Sequence, residues 1–407
     1  MGSSTILLPN SVFHNPILDI IDENKARIIK HLTQDFILTK ETLSRLKSVF
    51  IKEMDLGLAE APARKSCLLM QNTFVPEFPD GSESGHYLSL DLGTTNFRVL
   101  LSQLGERVAD NDFTVKYYDI PDDCRRGSSK NLFNFLAISI EDFVGQVLPN
   151  YDKRLALGFT FSFPMTMKSL NIGILETWTK NFDCPDAVGV DCARLLQEAI
   201  DSRPSLAVDV VAILNDSTGT LVKGVYLDGD CAVGMILGTG HNMCYIESVG
   251  RIGKWTDRSE SVYEDVLEVA VNIESGAFGD NGDETKGKVF AEKLTQRLGY
   301  AMVTTDDIAI IRYTCAMVTV RATQLISAAL ATLIDRIDSK RVTVAIDGSL
   351  YKKHPKFHRL MTDFTRELLD SKKSFKLILA EDGSGKGAGL VAAIAHRFWA
   401  KHNNNHL

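Results

Sequence analysis

No two cysteines in this 407-residue chain are spaced C-x-x-C. The seven present (Cys67, Cys124, Cys184, Cys192, Cys231, Cys244 and Cys315) are scattered and odd in number. That disfavours a clustered zinc site and a disulfide framework, and predicts reduced thiols in a cytoplasmic protein. No run of 18 apolar residues occurs, so no membrane span is expected. There is no long basic tract, and the net charge of −7 argues against nucleic acid as the main partner. The first residues lack the charged start and unbroken apolar stretch of a secretory signal, because Pro9, Asn10 and His14 interrupt them. Ile6 stands where a myristoylation signal needs Ser or Thr.

Two familiar phosphate and metal motifs are also missing. H-E-x-x-H does not occur, and His354 and His358 are separated by Pro355, which fits two solvated histidines better than a metal pair. The glycine-rich stretch 383–389 fails the P-loop pattern, with Ala380 in place of its first glycine and Gly387 in place of its Ser or Thr. It reads as a flexible loop entering a helix, open to close approach of a ligand.

What is present is an ordinary globular composition, 44% hydrophobic and 24% charged, at a length that suggests two or three domains. Leu88–Leu101 and Val233–Ile246 each place Leu-Gly-Thr between two strand-like runs. Both predict strand, tight turn, strand. Glycine at the bend leaves main-chain N–H groups open to an anion, so two such turns suit a polyphosphate; two ordinary hairpins is the alternative. Only the first copy carries an acid, Asp91, before its glycine.

Elsewhere, apolar spacing predicts two helices within 19–60, and further helices over 131–147, 190–200 and 306–337. Strands are expected over 155–164, 208–214, 342–346 and 375–380. Alternating strands and helices with a duplicated hairpin predict an α/β fold of two similar domains. Asn215-Asp216 closes a buried strand, the position where ligands bind in open α/β sheets. Asp216 there suits a general base, or a turn or helix cap. Glu274, Asp280 and Asp283 suit a polar sugar-like ligand or a turn.

L-D-L-G-T-T-N-F-R-V, L-G-F-T-F-S-F-P, W-T-K-N-F, L-N-D-S-T-G-T, G-T-G-H-N, N-I-E-S-G-A-F-G-D-N-G, I-D-G-S-L-Y-K-K-H-P and E-D-G-S-G-K-G-A-G follow one another along the chain. In these motifs and their order it resembles the eukaryotic hexokinases, specifically a single-unit animal-type hexokinase, over about residues 20–400. The resemblance implies the actin-like ATPase (ribonuclease H-like) fold, two α/β domains around a cleft. It implies a small domain over 1–215, with a C-terminal helix of about 393–407 packed on it, and a shortened large domain over 216–392. It implies ATP and Mg²⁺ as cofactors and a hexose as substrate, with no clear protein partner. Ser162, Thr179, Lys180, Asn215, Asn242 and Glu274 would hold the sugar. Asp216 would take the proton of its 6-hydroxyl. Asp91, Gly93, Thr94, Thr95 and Asn96 would line the β- and γ-phosphates, with Asp91 reaching the metal through water. Gly238, Thr239 and Gly240 would hold the other side. Asp347, Gly348 and Ser349, with Gly383, Ser384, Gly385 and Lys386, would cradle adenosine.

Three departures stand out. Thr94 replaces a second glycine, as in polyol kinases of this fold. Ser275 replaces an aromatic residue. After Gly282 a long segment is missing, and with it a second sugar-binding glutamate. Loss of such a charged hydrogen-bonding group costs about 1.5–3 kcal/mol. A hexokinase, an inactive hexokinase-like binding protein and a polyol kinase are therefore the functions to separate.

Overall fold

The apolar runs on either side of the two Leu-Gly-Thr turns pair as antiparallel strands, and each hairpin seeds its own sheet. The computed structural model describes residues 18, 20–93, 96–105, 113–179, 181–238, 240–256, 258, 262–278 and 305–403. Its strands are β1 (Gln71–Asn72), β2 (Gly85–Leu92), β3 (Asn96–Leu104), β4 (Phe113–Asp119), β5 (Leu155–Phe161), β6 (Met165–Ser169), β7 (Ile172–Leu175), β8 (Val208–Leu214), β9 (Cys231–Leu237), β10 (His241–Ser248), β11 (Glu268–Asn272), β12 (Arg341–Asp347) and β13 (Ser374–Leu379). Its helices are α1 (Glu23–Thr33), α2 (Lys40–Leu58), α3 (Asp122–Arg125), α4 (Ser129–Val147), α5 (Cys192–Asp201), α6 (Asp216–Leu227), α7 (Thr305–Arg336), α8 (Ser349–Lys353), α9 (Phe357–Leu368) and α10 (Gly383–Asn403).

One sheet runs β4-β3-β2-β5-β8 and the other β1-β11-β10-β9-β12-β13. Each begins with an antiparallel meander, β2-β3-β4 or β9-β10-β11. Each then adds two parallel strands beside the first strand of its meander. This is the internal repeat expected from the two hairpins. The parallel strand β5 is buried along its whole length, as its continuous apolar sequence requires.

The helix after the last strand of each repeat crosses to the other repeat's sheet. α6 follows β8 but lies on β9 and β12, whereas α10 follows β13 but lies on β2 and β5. The two helices pack against each other between the sheets, with Leu221, Val222, Leu390, Val391 and Ile394 in one core cluster. The outer face of the first sheet is covered by α4 and α5, and that of the second by α2 and α7.

The glycines of 383–389 sit in the first turns of α10, so the expected flexible loop is a helix. They serve backbone packing. A Cβ on Gly158 of β5 would stand 2.2 Å from the Ala388 carbonyl oxygen. The division at 215 places residues 20–72 with the first sheet. Their contacts lie elsewhere: Phe50, Met54 and Leu58 of α2 bury among Met243, Tyr245 and Leu333, and β1 pairs with β11. The apolar stripe of α2 fits the second sheet because the outer face of the first is already occupied. α7 is, among the described residues, one helix long and apolar enough to cross a membrane, over Ile308–Arg336. However, 67% of its most apolar stretch is buried inside the protein, with Leu330, Leu333 and Ile334 wholly enclosed, as in a core helix.

Candidate active site

β8 ends where α6 begins, and the junction is made by Asn215. Its side chain accepts a hydrogen bond from the Ser217 N–H at 3.0 Å, capping the helix. Capping leaves Asp216 on the first turn, where the helix N-terminus favours negative charge. Asn215 is therefore both the cap that the sequence allows and the neighbour of the candidate base. Asp216 Oδ1 accepts from the Ser217 N–H at 2.8 Å.

Asn215 and Asp216 line a cavity of about 370 Å³, within the roughly 300–1,000 Å³ typical of small-molecule sites. One wall carries Ser162, Phe163, Pro164 and Thr179; the other carries Gly238, Gly240, His241, Asn242 and Glu274. Six of the sequence's sugar and base candidates thus share one cavity, Lys180 lying outside the described residues.

A polar network backs this wall. Asn242 Nδ2 faces four oxygens: Asn272 Oδ1 at 2.8 Å, Asn215 Oδ1 at 3.2 Å, Ser217 Oγ at 3.3 Å and Glu274 Oε1 at 3.4 Å. An amide nitrogen has two hydrogens, so these acceptors compete for them and oxygen capacity remains for hydroxyl donors. Asn272 Nδ2 donates to Glu274 Oε1 at 2.8 Å. Glu274 holds φ 57° and ψ 47°, a left-handed conformation that costs a non-glycine residue about 1–3 kcal/mol. It is held there by the Ala277 N–H to the Glu274 carbonyl at 3.1 Å and the Ser275 N–H to Asn242 Oδ1 at 3.2 Å.

Four of the phosphate and adenosine candidates are joined in pairs by hydrogen bonds, Asp91 with Ser384 and Gly383 with Asp347. Asp91 Oδ2 accepts from Ser384 Oγ at 2.8 Å and from Arg98 Nε and Nη2 at 3.0 and 2.8 Å. Arg98 Nη1 also donates to Asp382 Oδ1 at 2.8 Å. Burial works to raise the Asp382 pKa, but hydrogen bonding and charge from Arg98 lower it overall. Gly383 N donates to Asp347 Oδ2 at 2.9 Å. Gly348, at φ +117°, presses on the end of β9, where a Cβ would stand 2.2 Å from the Leu237 carbonyl oxygen. Among the described residues, a Cβ on Gly238 or on Gly240 would meet nothing within 4 Å, so both glycines face open space.

Lys386 and Ser349 lie on the first turns of α10 and α8. Lys386 Nζ lies 4.0 Å from the centroid of the Phe113 ring on β4. Ser349 is exposed at the start of α8. Gly93 ends the β2 side of the first turn, and Asn96 opens β3 opposite Asp119. Thr94, Thr95, Thr239, Asp280, Asp283 and the stretch after Gly282 lie outside the described residues.

Two hexokinase family models match the chain, one over residues 28–226 and the other over 232–290 and 283–394. The chain belongs to the hexokinase family. It is 34% identical to Hexokinase-1 of Pongo abelii and of Homo sapiens over 91% of its length and 48% of theirs. The chain spans about half the length of the curated relatives it matches. A solved hexokinase from Schistosoma mansoni, complexed with glucose, superposes at a TM-score of 0.79 with 31% identity, covering 92% of this chain and all of that one. A second hexokinase crystal structure superposes at 0.73 with 25% identity over the same shares. The fold is the actin-like ATPase fold of these hexokinases.

The hexokinase-family alignments run to 452 positions against a chain of 407 residues, so these relatives carry residues this chain lacks. The second family match breaks into two stretches that meet at 283–290, just after Gly282. Sequence reasoning missed Asn272, Ser217, Arg98 and Asp382. Asn272 had a signal, since it sits two residues before Glu274 at a strand end; Arg98 and Asp382 meet only through the packing of α10 on the first sheet.

Proposed function

We propose that the chain is an ATP-dependent hexokinase, transferring the γ-phosphoryl group to the 6-hydroxyl of glucose and related hexoses, in the cytoplasm and at the entry to glycolysis. One observation carries this reading: Asp216, Gly238 and Gly240 line the same cavity. A base and a phosphate-holding turn in one space suit in-line transfer between a hydroxyl and a triphosphate.

In this mechanism Asn215, Asn242 and Glu274 orient the sugar by hydrogen bonding to its hydroxyls, the two amides donating through their nitrogens and the Glu274 carboxylate accepting. The Asp216 carboxylate takes the proton of the 6-hydroxyl as its oxygen bonds to the γ-phosphorus, and the bond to the β-phosphate oxygen breaks, releasing ADP. The three hydrogen bonds that described residues give Asp91 all fall on Oδ2. Its position at the first turn fits contact through water with magnesium carried by the nucleotide. Magnesium supplies neutralisation of phosphate charge when bound. The test is phosphorus NMR of purified chain with glucose, ATP and magnesium. Glucose 6-phosphate in step with ADP supports the reading; a panel of hexoses and polyols without product overturns it.

The broken family match favours a second reading, a hexokinase-like protein that binds sugar or nucleotide with impaired catalysis. Saturable glucose binding without product formation would select it.

A further inference from the structure

The cavity contains one imidazole, to which no role was assigned from the sequence. His241 opens β10, between the phosphate turn and Asn242, and its side chain stands beside Ser275. Its Nδ1 lies 3.4 Å from Ser275 Oγ, long for a hydrogen bond. Its Nε2 is shielded from solvent and has no partner among the described residues. A buried imidazole nitrogen without a partner is unfavourable, so Nε2 calls for a partner beyond the described residues. The χ2 torsion of histidine is broad, so hydrogen bonds and packing rather than the torsion itself set which nitrogen faces the cavity. The backbone here is tightly held, since a Cβ on Gly276 would stand 2.9 Å from the His241 carbonyl oxygen.

We propose that His241 is a sugar-contacting, specificity-setting residue, whose neutral imidazole exchanges a hydrogen bond with one hydroxyl of the hexose beside Asn242 and Glu274. The inference rests on the hexokinase reading and names a further contact within the same site. Burial lowers the His241 pKa to about 4, so the ring is neutral through the physiological range. A neutral ring offers one donor and one acceptor, which suits a hydroxyl and not a phosphate. Ser275, a small hydroxyl side chain, is the neighbour of the imidazole on this side.

Calorimetry tests this with the full chain and glucose, alongside its 1-, 2-, 3- and 4-deoxy analogues. His241→Ala is expected to weaken glucose binding about 3- to 10-fold, the range of one net neutral hydrogen bond. One deoxy analogue is expected to bind His241→Ala and the unaltered protein equally, which identifies the hydroxyl. His241→Gln, which keeps a donor near Nε2, is expected to restore most of the affinity. His241→Phe keeps the ring volume, serves if the alanine variant fails to fold, and is expected to behave like it. Unchanged glucose affinity in His241→Ala or His241→Phe overturns the inference alone. So does an equal loss for every analogue in all variants. Failure of the unaltered chain to bind any hexose overturns the hexokinase reading and this inference with it.

Discussion

A methyl group added to Gly387 would stand 1.9 Å from the carbonyl oxygen of Gly219. α6 and α10 cross at this point with backbone against backbone. α6 starts at Asp216 and α10 at Gly383-Ser384, whose serine holds Asp91. The crossing therefore sets the separation between the base and the phosphate side of the site.

Gly387→Ala is expected to force the helices apart and cost about 1–3 kcal/mol or more, as overpacking does. The urea midpoint should fall with an unchanged slope, and turnover should fall with it because both helix starts move. An alanine variant as stable as the parent would show that the helices separate freely.

Asn272→Ala removes the amide shared by Asn242, Ser217 and Glu274. A buried group left unsatisfied costs about 1–3 kcal/mol. Glu274 then loses its 2.8 Å donor, so glucose affinity should fall while ATP affinity holds. Equal loss of both affinities, measured by calorimetry, would point to general unfolding of the site.

Glu53 is enclosed in α2, paired with Arg64 and accepting from Ser66 Oγ at 3.0 Å and the Cys67 N–H at 3.1 Å. Hydrogen bonding from Arg64, with help from Cys67 and Ser66 and against the effect of burial, lowers its pKa from the ordinary 4.5 to about 2. The folded state thus binds this proton less tightly than the unfolded state. Its stabilising contribution is complete above pH 4.5 and is lost as pH falls toward 2. Glu53→Gln should lower the denaturation midpoint at pH 7, with a gap to the parent that narrows as pH falls from 5 to 3. A gap independent of pH would contradict this account.

The two hairpins were legible because strand-forming runs around Leu-Gly-Thr are a local signal. Each hairpin pairs the first two strands of its repeat. The start of α6 was legible in part, since Asn215 carried both a cap and a ligand reading and the structure assigns it the cap and a place in the cavity wall. Three features were hidden because they depend on distant partners. α2 shows an apolar stripe without stating which sheet it covers. Gly385, Gly387 and Gly389 look like a ligand loop, yet their neighbours are Leu100, Gly219 and Ser102. Asn272 is one polar residue at a strand end until β10 and β11 pair and set it against Asn242.

Glucose-dependent ADP formation by the purified chain, compared with Asp216→Ala, tests the central claim most directly. A positioned base contributes roughly 10²–10⁴ in rate, so the variant should lose about that factor in kcat/KM. It should still melt cooperatively and bind glucose within a few-fold of the parent. Turnover undiminished in Asp216→Ala would contradict the assignment of the base, and with it the mechanism built on this cavity.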